Sequence, residues 1–300
     1  DQATTTLDGS YGGIGAWVDT AGEYLTIIRS MSGSPAEAAG LKPGDEIIGV
    51  DGQSVIGKDP SAVLQTVKGP EGTTVVLTVQ RHAPEEILDF TIVRAQITVS
   101  SVESRMLDQG IGYLALNTFG SESAQEMETA LAGLLAQHPV GLILDLRDNS
   151  GGYVDAAIDI ISQFIGSGVI MIERFGDGKE VTFEAHPGGL ATEIPLVVLV
   201  NQYSASASEI TAGAIQDYQR GKIVGTTTYG KGSVQNWVPL ADEQGAVKVT
   251  IARWLTPKGR LIHGIGLTPD YIVERTENDI EAELDPQLEK AIDLLLNANK

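Results

Sequence analysis

Two stretches of this chain change character in the same way, and they constrain its fold more than any other feature. Pro195-Leu-Val-Val-Leu-Val200 is short, apolar and rich in branched residues, the pattern of a buried strand. It breaks into the small-residue run Asn201-Gln-Tyr-Ser-Ala-Ser-Ala-Ser-Glu-Ile210, and Glu209 to Tyr218 then reads as a helix. Earlier, Val140-Gly-Leu-Ile-Leu-Asp-Leu146 runs into Arg147-Asp-Asn-Ser-Gly-Gly152, after which Val154, Ile158, Ile161 and Ile165 recur at helical spacing. Alternating strands and helices predict a layered α/β domain. Backbone N–H groups are unpaired where a strand turns into a helix, and the helix dipole is positive there. A serine at that point can attack a carbonyl, with donors waiting for the oxyanion. Ser206-Ala-Ser-Glu209 also fits a capping box, which needs no chemistry. Gly151 and Gly152 have two readings as well. One of them brings an N–H to an oxyanion, or both only make a tight turn at positive φ.

Downstream, Thr228-Tyr-Gly-Lys-Gly-Ser-Val-Gln235 sets a lysine between glycines. Gly225 to Lys231 matches the start of a phosphate-binding loop, but Gly232 stands where the magnesium-binding hydroxyl belongs. Ser233 to Val238 reads as β where that motif requires a helix. His82, His138, His186 and His263 are scattered singly, with no metal-binding spacing and no recognisable Ser-His-Asp setting. Lysine is then the candidate base. Exposed, it titrates near about 10.4 and stays protonated. Buried beside a helix N-terminus, its charged form is disfavoured by desolvation and by the dipole, and the neutral amine can take a serine proton. Tyr229, Val234 and Trp237 are the apolar neighbours expected to bury it.

Composition narrows the chemistry further. The chain has no cysteine, which excludes thiol catalysis, disulfides and cysteine-held metals. A net charge of −20 disfavours nucleic acid and anionic membranes as partners. At 300 residues, 42% hydrophobic, the chain is long enough for one large domain or two smaller ones. No apolar run approaches membrane-spanning length, and no signal-like segment opens the chain.

Residues 1–11 read as a short lead, and Tyr11 to Val18 as a strand opened by glycines. Strands are expected at Tyr24–Ile28, Glu46–Val50, Thr73–Gln80 and Leu88–Arg94, with a hairpin signal at Asp51-Gly52. Ser34 to Ala39 and Pro60 to Val67 read as helices, the first closed by Gly40. Further on come a strand at Ile111–Leu116 and a helix at Ser121–Gln137 with a candidate capping box at Ser123 and Glu126. A hairpin about Gly176–Gly178, a strand at Val247–Trp254 and a helix at Asp285–Asn297 follow.

Gly13-Ile-Gly-Ala16, Ser34-Pro-Ala-Glu-Ala-Ala-Gly-Leu41 and Lys42-Pro-Gly-Asp-Glu-Ile-Ile48 together resemble a PDZ domain of the bacterial protease-associated type, over residues 12–95. Glycine-loop N–H groups at Gly13, Ile14, Gly15 and Ala16 would hold a peptide carboxylate. The peptide would add as a strand beside Trp17, with Ile14, Val63 and Val67 lining an apolar pocket.

Residues 96–275 resemble the carboxyl-terminal processing protease family (S41), serine peptidases with a Ser-Lys dyad. The matching pieces are Asp145-Leu-Arg-Asp-Asn-Ser-Gly-Gly152, Asn201 to Ile210, Tyr229-Gly-Lys-Gly-Ser-Val-Gln235 and Gly266-Leu-Thr-Pro-Asp270. The resemblance implies a PDZ β-sandwich-like domain followed, over residues 96–300, by a crotonase/Clp-like layered α/β protease core. It selects Ser206 as nucleophile, Lys231 25 positions on as base, and Gln235 four later as the group orienting the amine. Ala207 and either Gly151 or Gly152 would form the oxyanion hole. It also implies protein or peptide substrates with free C-termini, no cofactor and no metal, an extracytoplasmic location, and a homo-oligomer. Only about ten residues precede the PDZ domain, so the family's helical segment there, often used in dimer contacts, is expected either to be missing or to have been cut away. The alternative from another class is a catalytically silent peptide- or ligand-binding module on the same fold.

Overall fold

A computed structural model describes residues 10–20, 22–31, 33–82, 85–98, 100–239, 246–276, 278–279, 282 and 284–297, with backbone alone at 98, 235–239, 246 and 248. The chain divides into two compact units, residues 1–99 and 100–300.

In the first unit, β1 (Ser10–Gly13) pairs antiparallel with β8 (Ala95–Thr98), Gly13 facing Ala95. The main antiparallel sheet runs β2 (Ala16–Asp19), β3 (Leu25–Ser30), β4 (Glu46–Val50), β6 (Thr74–His82) and β7 (Glu85–Val93), with β5 (Gln53–Ser54) paired to β4. The single strand expected over Tyr11–Val18 is therefore two strands in two sheets. Gly15, at φ 76, turns the chain between them. Helix α1 (Pro35–Ala39) starts where Ser34 Oγ accepts the Glu37 N–H at 3.2 Å. Helix α2 (Pro60–Val67) starts where Asp59 accepts the Ser61 N–H at 2.9 Å. Alternate residues Val75, Leu77 and Val79 of β6 meet Leu25, Ile27, Ile47, Val63 and Val67 in this unit's core.

The second unit is built on a six-stranded sheet in the order β18 (Tyr271–Ile272), β15 (Lys222–Gly225), β14 (Leu196–Val200), β11 (Gly141–Asp145), β10 (Ile111–Leu116), β9 (Val102–Met106). All neighbours are parallel except β9–β10. Strands β11 and β14 are buried along their whole length, as continuous apolar runs predict for a sheet covered on both faces. Period 2 divides their side chains. Leu142, Leu144, Val198 and Val200 face one core with α3 (Ser123–Leu135), α4 (Val154–Ser162) and α5 (Ala207–Asp217). Ile143, Val197 and Leu199 face another with Ala291 and Leu295 of α6 (Pro286–Asn297). A second, antiparallel sheet runs β13 (Glu180–Glu184), β12 (Val169–Phe175), β17 (Ala246–Leu255), β16 (Ser233–Pro239). Trp254 of β17 and Ile170 of β12 join the first of these cores.

The capping box expected at Ser123 and Glu126 is absent. Ser123 Oγ donates instead to the Gly120 carbonyl at 2.8 Å. Glu126 Oε2 leaves the helix to accept the Ser101 N–H at 2.6 Å and the Val102 N–H at 3.0 Å. Two orphan donors at the start of β9 outcompete the helix's own end for that carboxylate.

Candidate active site

Because β11 and β14 are parallel neighbours, the loops leaving their carboxyl ends lie side by side, where open α/β sheets form their crevices. The first loop carries Asp145 to Gly152 and the second carries Asn201 to Ser206. Three of the serines in the second loop and the helix start differ in their surroundings. Ser204 is fully buried, its hydroxyl donating to the Leu146 carbonyl at 2.7 Å. Ser208 is also fully buried and donates to the Asn149 carbonyl at 2.8 Å. Both are stitches between the two loops. Ser206, between them, is only half-buried.

Ser206 has φ 57 and ψ −115, the mirror image of an ordinary turn conformation and one that glycine usually takes. The expected capping box forms. The Ser206 N–H donates to Glu209 Oε2 at 2.9 Å, and the Glu209 N–H, which the Ser206 side chain faces, also donates to the Ser206 backbone carbonyl at 2.9 Å.

Glu209 does more than cap. It is fully buried and accepts four hydrogen bonds, two on each oxygen. Oε1 takes the Thr228 hydroxyl at 2.5 Å and the Gly230 N–H at 2.7 Å, while Oε2 takes the Ser206 N–H and the Lys231 N–H, both at 2.9 Å. One oxygen thus holds the backbones of Ser206 and Lys231 together, although 25 positions separate them. Lys231 is half-buried, and its carbonyl accepts the indole N–H of buried Trp254 at 2.9 Å. Of the apolar neighbours expected to bury it, Val234 is half-buried, but Tyr229 is 67% exposed and lines an open cleft. The side chains of Trp237 and Gln235 lie outside the described residues. The Gln235 backbone sits in β16 opposite Thr250, after a bulge.

The two glycines are not equivalent. The Gly151 N–H donates to Asn149 Oδ1 at 2.8 Å and is committed. Among the described residues no hydrogen bond engages the Gly152 N–H or that of Ala207. Gly151 has φ 101, and a Cβ there would lie 2.8 Å from Ser206 Cβ and 2.9 Å from the Ala207 nitrogen. At Gly152 a Cβ would fall 2.2 Å from the Phe119 carbonyl oxygen. The turn reading of the glycine pair is met, and the Gly151 backbone is also pressed against the serine. Asn149, fully buried, fixes this loop further by donating to the Leu116 carbonyl at 2.6 Å.

An open cleft of about 540 Å³ lies over these loops, lined by Asp148, Ser150, Tyr203, Ala205, Tyr229 and Lys231. In the first loop, Arg147 binds Asp145 at 2.6 Å and reaches Asp285 and Gln287 of the C-terminal segment at 2.9 and 3.1 Å. Burial opposes the charge on Arg147, but the Asp145 hydrogen bond and the two carboxylates outweigh it and hold its pKa above the ordinary value. Burial also raises the Tyr113 phenol, which donates to Asp145 at 2.7 Å.

The expected PDZ residues all fall in the first unit. Gly13 ends β1, Gly15 makes the turn, and Ala16 starts β2, which is an edge strand. Ile14, Val63 and Val67 are no more than 5% exposed and belong to the packed core, so their side chains are already covered. Sequence reasoning missed Asn149, Asp148 and Thr228 and saw Glu209 only as a cap. The available signal was the density of polar residues inside otherwise apolar strand-to-helix turns.

The models of two families match the chain: peptidase family S41 over residues 110–273 and the PDZ domain over residues 26–81. The carboxy-terminal-processing protease of Bartonella bacilliformis is 39% identical over 272 residues, covering 89% of this chain and 62% of its own length. The carboxyl-terminal-processing protease of Synechocystis sp. is 38% identical over 303 residues, covering 98% of this chain and 70% of its own. Of solved structures, a photosystem II D1 C-terminal processing protease superposes with a TM-score of 0.57 at 30% identity, covering 96% of this chain and 77% of that one.

Proposed function

Since this chain belongs to peptidase family S41, we propose that it is a serine endopeptidase acting on unfolded or C-terminally tailed proteins through a Ser206–Lys231 dyad. The observation that carries this reading is the shared acceptor, Glu209 Oε2, which holds the Ser206 and Lys231 backbones together. The neutral Lys231 amine takes the Ser206 hydroxyl proton as Oγ attacks the substrate carbonyl. The oxyanion is met by the N–H groups of Ala207 and Gly152. Gly152 is preferred over Gly151 because the Gly151 N–H is already donated to Asn149. Lys231 then gives the proton to the leaving amine, and water releases the acyl group. Gln235 orients the amine. The glycine turn before β2 binds the substrate's terminal carboxylate, and the open edge of β2 accepts its last residues as a strand. Docking there also gates the active site.

The test is cleavage of casein. Wild type should cut it, while Ser206→Ala and Lys231→Arg should not, because arginine stays protonated. Full activity in either variant would remove that residue from the dyad. An inert wild type that still binds C-terminal peptides would favour the silent binding module.

A further inference from the structure

We propose that the cleft carries an acidic subsite, centred on Asp148, that selects a basic side chain flanking the scissile bond. The inference rests on the peptidase reading above and adds a substrate class to it.

Asp148 is the one acidic residue among the six that line the cleft. Its backbone has φ 60, the left-handed region, where a non-glycine residue is uncommon and Asn or Asp is tolerated best. Asn201 holds it there from both sides. The Asp148 N–H donates to Asn201 Oδ1 at 3.0 Å, and Asn201 Nδ2 donates to Asp148 Oδ1 at 2.8 Å. The same Asn201 Oδ1 accepts the Tyr203 N–H at 3.1 Å. The carboxylate and one aromatic wall of the cleft are thus fixed to a single amide. Tyr229 is tied to the same loop, its N–H donating to the Ser204 carbonyl at 3.1 Å.

The two rings are 60% and 67% exposed, large aromatic area for a surface to leave open. Lysine and arginine have alkyl stems that pack on such rings and cationic heads that are attracted both to ring faces and to a carboxylate. An aliphatic substrate residue would use the rings alone. An acidic one would meet Asp148 as a like charge, and the molecule's net charge of −20 works in the same direction.

The test uses three matched peptides with Lys, Leu or Glu at the positions flanking the cleaved bond, and reads ratios of kcat/KM. In the full chain the Lys-to-Leu ratio should be about five to ten at low salt, the scale of an ion pair with a ring contact, and should shrink as salt rises. Asp148→Asn keeps the Oδ1 acceptor and tolerates the left-handed backbone while losing the charge. Its Lys-to-Leu ratio should fall to about one, whatever the absolute rates. Asp148→Arg should shift preference toward the Glu peptide. A Lys-to-Leu ratio unchanged in Asp148→Asn overturns the subsite. A displaced pH profile with that ratio unchanged also overturns it, since Asp148 would then be acting on Lys231. If wild type cuts none of the three but binds them, the peptidase reading itself has failed.

Discussion

At the scale of single residues, Ser206 occupies a backbone conformation that costs a non-glycine residue on the order of 1–3 kcal/mol. The cost is met by its surroundings. Ser204 and Ser208 anchor either side of it to the Leu146–Asn149 loop, and Glu209 holds its N–H. This strained residue is where the helix starts. The strain makes a prediction that separates backbone from chemistry. Ser206→Ala keeps the strain and Ser206→Gly removes it, so the glycine variant should be the more stable in urea by about 1 kcal/mol, with both inactive. An alanine variant as stable as the glycine one would show that the turn is not strained.

At the scale of elements, the N-terminus of α5 and the loop leading into β16 are held by one carboxylate. Four donors converge on Glu209, so a glutamine there would turn its NH2 toward N–H groups that need an acceptor. Glu209→Gln should therefore lose about 2–3 kcal/mol of stability and, where still folded, about 100-fold in kcat with a smaller change in KM, because displacement by about 1 Å suffices for that. A folded Glu209→Gln enzyme with wild-type kcat would reduce Glu209 to a cap. The S-x-x-E pattern was legible in the sequence. Its second set of partners was not, because Thr228, Gly230 and Lys231 follow no period relative to the helix.

For the whole molecule, two units have separate cores, and under the proposed function the first would dock the peptide while the second performs the chemistry. Tethering a chain end raises its effective concentration, so docking should matter most at low substrate levels. Amidating the C-terminus of a tailed substrate should raise KM several-fold and leave kcat at saturation within about twofold if the first unit only docks. A fall in kcat as well would show that docking also activates. Free-acid and amidated substrates cleaved with equal KM would refute carboxylate recognition.

The sequence by itself determined the alternating strand and helix order, both buried parallel strands, the Asp51-Gly52 hairpin and the serine and lysine motifs. These rest on local periodicity and turn chemistry, which a linear chain displays. The tertiary structure alone decided which serine hydroxyl is left out of the stitching between loops, and which glycine N–H is already spent on Asn149. It also split Tyr11–Val18 between two sheets, and it ran Arg147 to Asp285 across 138 positions. Those outcomes depend on buried donors and acceptors finding partners wherever the fold brings them, and pairings of that kind leave no period in the chain.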